Sequence, residues 1–359
     1  MPTGTPGELA WAVEEATRLL AAGEPVALPT ETVYGLAADA LNPEAAAKIF
    51  EAKERPFFDP LIVHVPNREW LDKLTAIPEE SRELVEALMA KFWPGPLTMV
   101  LPRRSIVPDI VTSGLETVAV RMSAHPVFQA VVSHLDRPLA APSANRFGRI
   151  SPTAAEHVRS ELDGRIPLIL DGGATKHGLE STIVKVEGTR LQVLRAGPIT
   201  AEEDLGRVWG EWRMAQKTAP TQEEVESAFA DLGVSHEAMR KGQPTAIQAP
   251  GQLESHYAPR TRLRIFPEGA HFWTKPKEGN PPARVGSLAF EAPSQAGEFA
   301  CEEILSLSGD LREAAATLFA KMRKLDEAGL DLILAQPVPE RGLGIAIMDR
   351  LRKAAAHHV

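Results

Sequence analysis

Cysteine is almost absent from this chain of 359 residues, in which Cys301 stands alone. A single cysteine excludes an intrachain disulfide framework and any zinc site built from several thiolates. Because cysteine is usually buried, we expect Cys301 to be a small core residue beside a strand. No apolar run approaches the ~18 residues that a membrane span needs. The N-terminus also lacks the basic and apolar regions of a secretory signal, so we expect a cytoplasmic protein without a membrane segment.

Four common motifs of catalytic and nucleotide sites are missing as well. The chain contains no GxxxxGK[ST] or GxGxxG phosphate loop, no HExxH metal motif and no GxSxG nucleophile elbow. A net charge of −9 argues against a nucleic-acid surface that extends over the whole protein. A local cationic cleft for small acidic substrates is compatible with that charge.

Residues 25 to 64 place many polar side chains at the ends of predicted elements. The apolar run from Val26 to Leu28 is stopped by Pro29, which has no amide proton to continue a strand. Asn42 and Pro43 are typical of an N-cap and first residue, and the helix that they begin reaches Lys53. Ligands of open α/β sheets bind at strand ends. We therefore predict a ligand site that combines Thr30, Glu31, Thr32, Tyr34, Lys53, Arg55, Asp59 and His64. The alternative is that the two cations form a solvated helix end and that the histidine belongs to the core.

Three later segments add hydroxyl, amide and guanidinium groups. Thr117 and Arg121 are four residues apart and lie on one face of a predicted strand. The other groups are Ser143, Asn145, Ser151, Ser181, Thr182 and Arg195. Any one of the serines is explained by local turn chemistry. Taken together, cations and hydroxyls indicate a phosphorylated ligand, since charge-assisted hydrogen bonds to phosphate are strong.

The order of predicted elements indicates an α/β fold in two parts. Strands are predicted at 61–65, 97–101, 117–122, 167–170, 181–187 and 191–196, and helices at 79–92, 125–134 and 153–162. The last two strands flank a short turn with glycine, so they form an antiparallel hairpin within a mixed sheet. A second alternation begins at Arg262 and predicts a small three-layer α/β domain. It has strands at 262–266, 283–290, 301–308 and 330–336 and helices at about 310–328 and 344–356.

Residues 210 to 261 differ from both parts. They hold one acidic stretch, 218–233, that predicts a helix, and then an irregular run marked by proline and glycine. A structureless stretch of this length is typical of a linker or a functional lid. We therefore expect a site-bearing domain over 1–209, a linker or lid over 210–261 and a C-terminal domain over 262–359.

Several motifs in order resemble the threonylcarbamoyl-adenylate synthases, the YrdC/Sua5 family. They are PTETVYGLAADA, KERP, PLIVHV, FWPGPLT, PSAN and ESTIV. The later APGQLESHYAPRT and GLGIAIMDRLRKAA resemble the linker and C-terminal domain of the longer, Sua5-type members. The resemblance implies a twisted mixed sheet of the YrdC-like type around a large positive cavity, with flanking helices and a Rossmann-like C-terminal domain. It also implies a nucleotidyltransferase that condenses L-threonine, bicarbonate and ATP to threonylcarbamoyl-AMP and pyrophosphate, for modification of position 37 of tRNA.

The same resemblance assigns roles to individual residues. L-threonine would contact Thr32, His64, Arg121 and Ser181. ATP would contact Arg55, Asp59, Thr117, Ser143, Asn145, Ser151, Arg195 and Tyr257. Lys53 and Arg55 would be the catalytic cations, and Mg²⁺ would be carried by the ATP phosphates without a protein metal cluster. The product would pass to the tRNA threonylcarbamoyl-transferase complex, with at most weak contact to tRNA.

The chain departs from the family pattern at three positions. Asp59 stands where the family usually has Asn, and an ionised carboxylate can only accept hydrogen bonds. Ala141 stands where Ser or Thr is common in the family, and Ala249 stands where Ser is common. A paralogue with another substrate is therefore the main alternative, and an RNA-binding module is a second. A carbamoyl transferase of hydrogenase maturation is excluded by the single cysteine. For the linker we expect residues 249 to 259 to fold over the cavity and shield the adenylate from water.

Overall fold

The protein is described here from a computed structural model that covers residues 1–215, 247–253, 256–266, 284–292 and 299–356. The acidic helix predicted at 218–233 lies outside the described residues. Two separate sheets are formed, one of nine strands and one of four. Among the described residues, no helix is long and apolar enough to cross a membrane.

The nine-stranded sheet is built from residues 26 to 195. Its strands are β1 (Val26–Leu28), β2 (Gly35–Asp39), β3 (Ile62–His64), β4 (Leu97–Pro102), β5 (Thr117–Arg121), β6 (Leu139–Ala140), β7 (Leu168–Ile169), β8 (Thr182–Glu187) and β9 (Arg190–Arg195). They lie in the order β7-β1-β2-β6-β3-β5-β4-β8-β9. Strands β7 and β1, β3 and β5, and β4 and β8 pair in parallel, and the other neighbours pair antiparallel. The predicted mixed sheet and the β8–β9 hairpin are confirmed.

The helices of this part flank the sheet. They are α1 (Pro6–Ala21), α2 (Pro43–Lys53), α3 (Glu69–Leu74), α4 (Glu79–Phe92), α5 (Asp109–Thr112), α6 (Pro126–Leu135), α7 (Ala155–Leu162) and α8 (Gly206–Ala215), with a π-helical turn at Ala201–Leu205 before α8. Helix α2 begins as its sequence predicts. The Asn42 side chain accepts hydrogen bonds from the amides of Glu44 and Ala45 at 3.0 and 3.1 Å, and Pro43 is the first residue.

Two strands of the large sheet do not follow from the sequence pattern. Strand β2 is buried along its whole length, so it lacks the alternation of a half-buried strand, and three of its five residues are glycine or alanine. Strand β6 has only two residues. Both lie between β1 and β3 in the order of the sheet.

The second sheet is parallel throughout. Strands β10 (Arg262–Ile265), β11 (Val285–Ala289), β12 (Cys301–Ile304) and β13 (Leu332–Ala335) lie in the order β10-β13-β11-β12, with helices α9 (Leu311–Glu327) and α10 (Leu343–Ala356) packed on them. The prediction of a buried Cys301 is wrong. This residue begins the edge strand β12 and is half-buried, because an edge strand has a neighbour on one side only.

The two parts share one hydrophobic cluster. Val33, Ile150 and Leu179, from loops of the large sheet, pack in it with Leu318 and Phe319 of α9. Arg323 of α9 crosses the same boundary, donating to the Ile150 carbonyl and to the Glu161 carboxylate, the latter at 3.2 Å. Helices α9 and α10 are therefore packed against the loops that surround the strand ends.

Candidate functional site

A buried cavity lies where the ends of β1, β3 and β5 meet residues 250 to 257. Its wall is formed by Thr30, Thr32, Val33, Gly35, Arg55, Ile62, His64, Arg121, Ala141, Pro142, Ser143, Glu180, Ser181, Arg195, Pro250, Gly251, His256 and Tyr257. Nine residues predicted for the site are thus brought together: Thr30, Thr32, Arg55, His64, Arg121, Ser143, Ser181, Arg195 and Tyr257. The free volume is about 40 Å³, enough for a few water molecules.

Arg121 is held at the end of β5 by a buried carboxylate. Its Nη2 donates to Glu31 Oε1 at 2.6 Å and its Nη1 to Thr32 Oγ1 at 3.0 Å, while Ser123 Oγ donates to Glu31 Oε2 at 2.5 Å. Burial opposes ionisation of Glu31, but the charge of Arg121 and the Ser123 hydrogen bond outweigh it and lower the Glu31 pKa to about 2. An ionised Glu31 therefore fixes the direction in which Arg121 points.

His64 is a neutral histidine in the same wall. It ends β3, packs against Phe128 with ring centroids 4.6 Å apart, and is buried. Its Nδ1 is buried and has no hydrogen-bond partner. Burial, reinforced by the charge of Arg121, lowers the His64 pKa to about 3. The ring can thus offer an uncharged hydrogen-bonding nitrogen to a ligand.

Arg195 joins the hairpin to residue 250, which lies in the predicted linker. Its Nε donates to the Ser181 carbonyl and its Nη2 to Ser181 Oγ, both at 3.0 Å, and its Nη1 donates to the Pro250 carbonyl at 3.2 Å. Ser181 Oγ also lies 2.8 Å from Thr98 Oγ1. One guanidinium therefore orients the Ser181 hydroxyl and holds residue 250 at the cavity.

Arg55 is bound by its own loop. Its Nε donates to the Asp59 carbonyl at 3.2 Å, its Nη2 donates to the Pro60 carbonyl at 2.8 Å, and Nη2 lies 2.9 Å from Asp59 Oδ2. Asp59 is buried, and neither carboxylate oxygen receives an aligned hydrogen bond. Burial raises the Asp59 pKa against the opposing charges of Arg55 and Lys53. Asp59 is thus a buried carboxyl group beside an arginine that faces the cavity.

Eight predicted site residues do not form the cavity wall: Glu31, Tyr34, Lys53, Asp59, Thr117, Asn145, Ser151 and Thr182. Lys53 is buried behind it, and its ammonium donates to the Ser143 carbonyl at 2.5 Å and to the Asn145 carbonyl. Burial, reinforced by the Arg55 charge, lowers the Lys53 pKa well below its usual range. Asp59 lies behind Arg55, and Thr117 is half-buried where β5 begins. The Asn145 side chain donates to backbone carbonyls, and Ser151 donates to Glu180 at 2.5 Å.

Two acidic residues have roles in the site that the sequence pattern does not indicate. The pattern places Glu31 in the neighbourhood without a role, and Glu180 appears only within the ESTIV motif. Both lie next to predicted site residues, but their partners are far away in the chain, 90 residues for Glu31 and 170 for Glu180. Sequence spacing carries no signal for such pairs. In the described ranges, no group of three His, Cys, Asp or Glu side chains is placed to hold a metal ion.

The fold and the cavity together define a class of protein. It is an α/β protein whose buried cavity presents three arginines, several hydroxyls and a neutral histidine. Such a set suits small anionic ligands, because guanidinium groups bind phosphate and carboxylate bidentately.

Comparisons with known proteins narrow this class. The family described as "Telomere recombination" matches residues 18–197, and "Threonylcarbamoyl-AMP synthase, C-terminal domain" matches residues 220–356. A threonylcarbamoyl-AMP synthase of Pyrococcus abyssi is 38% identical over 97% of this chain and 95% of its own, and one of Bacillus subtilis is 38% identical over 97% and 94%. A crystal structure of the P. abyssi Sua5 protein complexed with L-threonine superposes with a TM-score of 0.78 at 36% identity, covering 97% of this chain and 95% of that one.

The chain belongs to the threonylcarbamoyl-AMP synthase family, in its long form with a C-terminal domain. The resemblance drawn from the motifs is confirmed, and so is the predicted fold class. The family name also supports the predicted nucleotidyltransferase class, with ATP and threonine as substrates.

Proposed function

We propose that this protein condenses L-threonine, bicarbonate and ATP into threonylcarbamoyl-AMP and pyrophosphate. One observation carries the proposal: the residues predicted for threonine and several of those predicted for ATP form one continuous wall around a single cavity. A site for only one of the two substrates would not need both sets. The threonine-bound relative supports the same conclusion.

The threonine end of the cavity is the Arg121 side. The Arg121 guanidinium is aimed by Glu31 and by the Thr32 hydroxyl, so it would hold the carboxylate of threonine. His64 stays uncharged, so it would accept or donate a hydrogen bond without repelling the ammonium group. The Ser181 hydroxyl, oriented by Arg195, would complete the contacts to the amino acid.

The ATP end is the side of Arg55 and Arg195. In the reaction the threonine amine attacks bicarbonate, which loses a water molecule in total, or attacks CO₂, its dehydrated form, with loss of a proton from the nitrogen. A carbamate oxygen then attacks the α-phosphate in line, and the bond from that phosphorus to pyrophosphate breaks. Negative charge gathers on the phosphate oxygens, so fixed cations and positioning supply most of the catalysis. Arg55 lies in the wall for this purpose. Lys53 and Asn145 would act by holding the loop from Ser143 to Asn145 in place.

Mg²⁺ would enter with the nucleotide and be held by its phosphates. Glu180, the acidic residue in the wall, is already bonded by Ser151 and Arg350. The ion would add positive charge at the phosphates. Product transfer to the enzyme that modifies tRNA is part of the proposal, and the net charge of −9 favours little direct RNA contact.

The segment around residue 250 would exclude water from the adenylate. Arg195 and Lys353 hold the carbonyls of Pro250 and Gly251, at 3.2 and 2.7 Å. Pockets for ligands of this size span roughly 300–1,000 Å³, far more than the free volume observed. We therefore expect Pro250, Gly251 and Tyr257, which line the cavity, to move away when a nucleotide enters.

The proposal is tested by pyrophosphate release from purified protein with ATP and Mg²⁺. Threonine and bicarbonate are omitted in turn, and threonine is replaced by serine. We expect release only when threonine and bicarbonate are both present. Release that ignores threonine would instead favour the paralogue, for which the buried Asp59 beside Arg55 is the specific observation. Tight RNA binding without turnover would favour a binding module.

A further inference from the structure

One arginine of the C-terminal part is buried completely. Arg350 lies on α10, far from the cavity in sequence, and its side chain has 0% relative exposure. Its Nε and Nη2 each lie 3.2 Å from Glu180 Oε2, and its Nη1 donates to the Ala196 carbonyl at 2.7 Å and to Asp349 Oδ2 at 3.0 Å. Arg350 thus spans the boundary between the two sheets with all three nitrogens engaged.

The partner of Arg350 is a residue of the cavity wall. Glu180 accepts from Arg350 on Oε2 and from Ser151 Oγ on Oε1, the latter at 2.5 Å. A carboxylate can rotate unless both oxygens are held. Arg350 therefore fixes the plane of the Glu180 carboxylate, and through it the direction of the Ser151 hydroxyl.

Arg350 also packs against a strained tyrosine. Tyr257 has a φ of 64°, in the left-handed region that residues with a side chain rarely adopt. Its ring stacks on Phe319 of α9 at 5.6 Å, and the Arg350 guanidinium lies 5.4 Å from the ring centre. Such backbone strain persists only where the surroundings hold it. Here the surroundings include two side chains of the C-terminal part, Phe319 and Arg350.

We infer that Arg350 is a positioning residue of the ATP site, through which the C-terminal domain shapes the cavity. It holds Glu180 and Tyr257, and Glu180 in turn holds Ser151. The inference rests on the proposed function for its substrate. The residues assigned to L-threonine have other partners: Arg121 bonds Thr32 and Glu31, and the Ser181 hydroxyl bonds Thr98 and Arg195. We therefore expect Arg350 to act on ATP binding more than on threonine binding.

The test is the split between the two Michaelis constants in Arg350→Lys. Lysine keeps the charge but has no planar fork to engage Glu180 and Ala196 together. We expect KM for ATP to rise about tenfold, as for one displaced charged hydrogen bond, and KM for threonine to stay within about twofold. Arg352→Lys is the matched control, because Arg352 lies on the same helix but pairs with Glu340 at the surface. It should leave both constants unchanged.

A purely structural role is separated by a second variant. Arg350→Met combined with Glu180→Gln removes both buried charges and leaves no carboxylate without a partner. If this double variant melts like the wild type and KM for ATP is still raised, the positioning role holds. If its KM for ATP returns to the wild-type value, or if Arg350→Lys raises both constants equally, the inference is overturned.

Calorimetric titration with ATP in the absence of threonine keeps the two proposals apart. If the wild-type protein releases no pyrophosphate, the proposed function is wrong. The ratio of ATP dissociation constants between Arg350→Lys and Arg352→Lys would still decide the inference. A ratio near one overturns it, and a ratio of about ten supports it.

Discussion

Glu31 illustrates how a single residue sets the electrostatics of the cavity. A buried arginine without a counter-ion would be costly, and Glu31 supplies that counter-ion to Arg121 at 2.6 Å. Ser123 and Arg121 together satisfy both carboxylate oxygens. Arg121 is thus held in a fixed direction and still presents a guanidinium face to the cavity.

Replacing Glu31 with glutamine should destabilise the protein in a pH-dependent manner. The Glu31 pKa falls from its ordinary value of 4.5 to about 2 on folding. A lowered pKa contributes stability that is present above pH 4.5 and is lost as the pH falls toward 2. We expect Glu31→Gln to reduce the free energy of unfolding by about 3 kcal/mol at pH 7. Urea unfolding at several pH values measures the difference.

Glu15→Gln provides the matched control for Glu31→Gln. Glu15 also pairs with an arginine at 2.6 Å, but on the surface of α1. An exposed pair of this kind contributes little. Two outcomes would contradict the stabilising role of the buried pair. One is a loss of stability in Glu15→Gln as large as that in Glu31→Gln. The other is a loss in Glu31→Gln that does not become smaller as the pH falls below 4.5.

At this scale the sequence predicts which residues meet, but not how they are bonded. Thr32, His64, Arg121 and Arg195 lie in one wall, as the motifs predict. The partners of Lys53 are backbone carbonyls about 90 residues away. Every residue has a backbone carbonyl, so the sequence does not indicate which carbonyls accept hydrogen bonds from the Lys53 side chain.

At the scale of elements, the sequence around helix α2 is sufficient to predict where this helix begins and ends. Its N-cap, its first proline and its end at Lys53 follow from residues within one turn of each boundary. Strand β2 shows the opposite case. Its buried residues form a strand because β1 and β6 lie on either side of it, and that information is not local.

Asn42→Ala tests the N-cap of α2. The side chain satisfies two amides at the start of the helix. Its removal should lower the free energy of unfolding by about 1 kcal/mol. Chemical denaturation measures the change. Asn42→Asp keeps the acceptor and should behave like the wild type, whereas an equal loss in both variants would argue against capping.

At the scale of the whole molecule, the boundary between the two sheets is set by a glycine. A Cβ on Gly178 would lie 2.5 Å from the carbonyl oxygens of Ala315 and Ala316 in α9. Gly178 also has a φ of 67°. This position therefore permits α9, which carries Phe319, to approach the loop before Glu180.

Gly178→Ala should push α9 away from that loop. The added methyl group meets helix backbone, which cannot rotate aside, so we expect a loss of about 2 kcal/mol beyond backbone strain alone. Gly173→Ala is the control, because Gly173 has a φ of 81° but no atom within 4 Å of the place that an added methyl group would occupy. Equal urea midpoints for the two variants would show that close packing at Gly178 is unimportant.

The small volume of the cavity has a kinetic consequence for the whole molecule. About 40 Å³ is free in this arrangement, so under the proposed function we expect nucleotide to bind only to the fraction of molecules in which Pro250, Gly251 and Tyr257 have moved aside. The apparent dissociation constant is then the intrinsic one divided by that fraction. We therefore expect the contacts that stabilise this arrangement, including those of Lys353 and Arg350, to slow ATP entry and also to delay the escape of a bound adenylate.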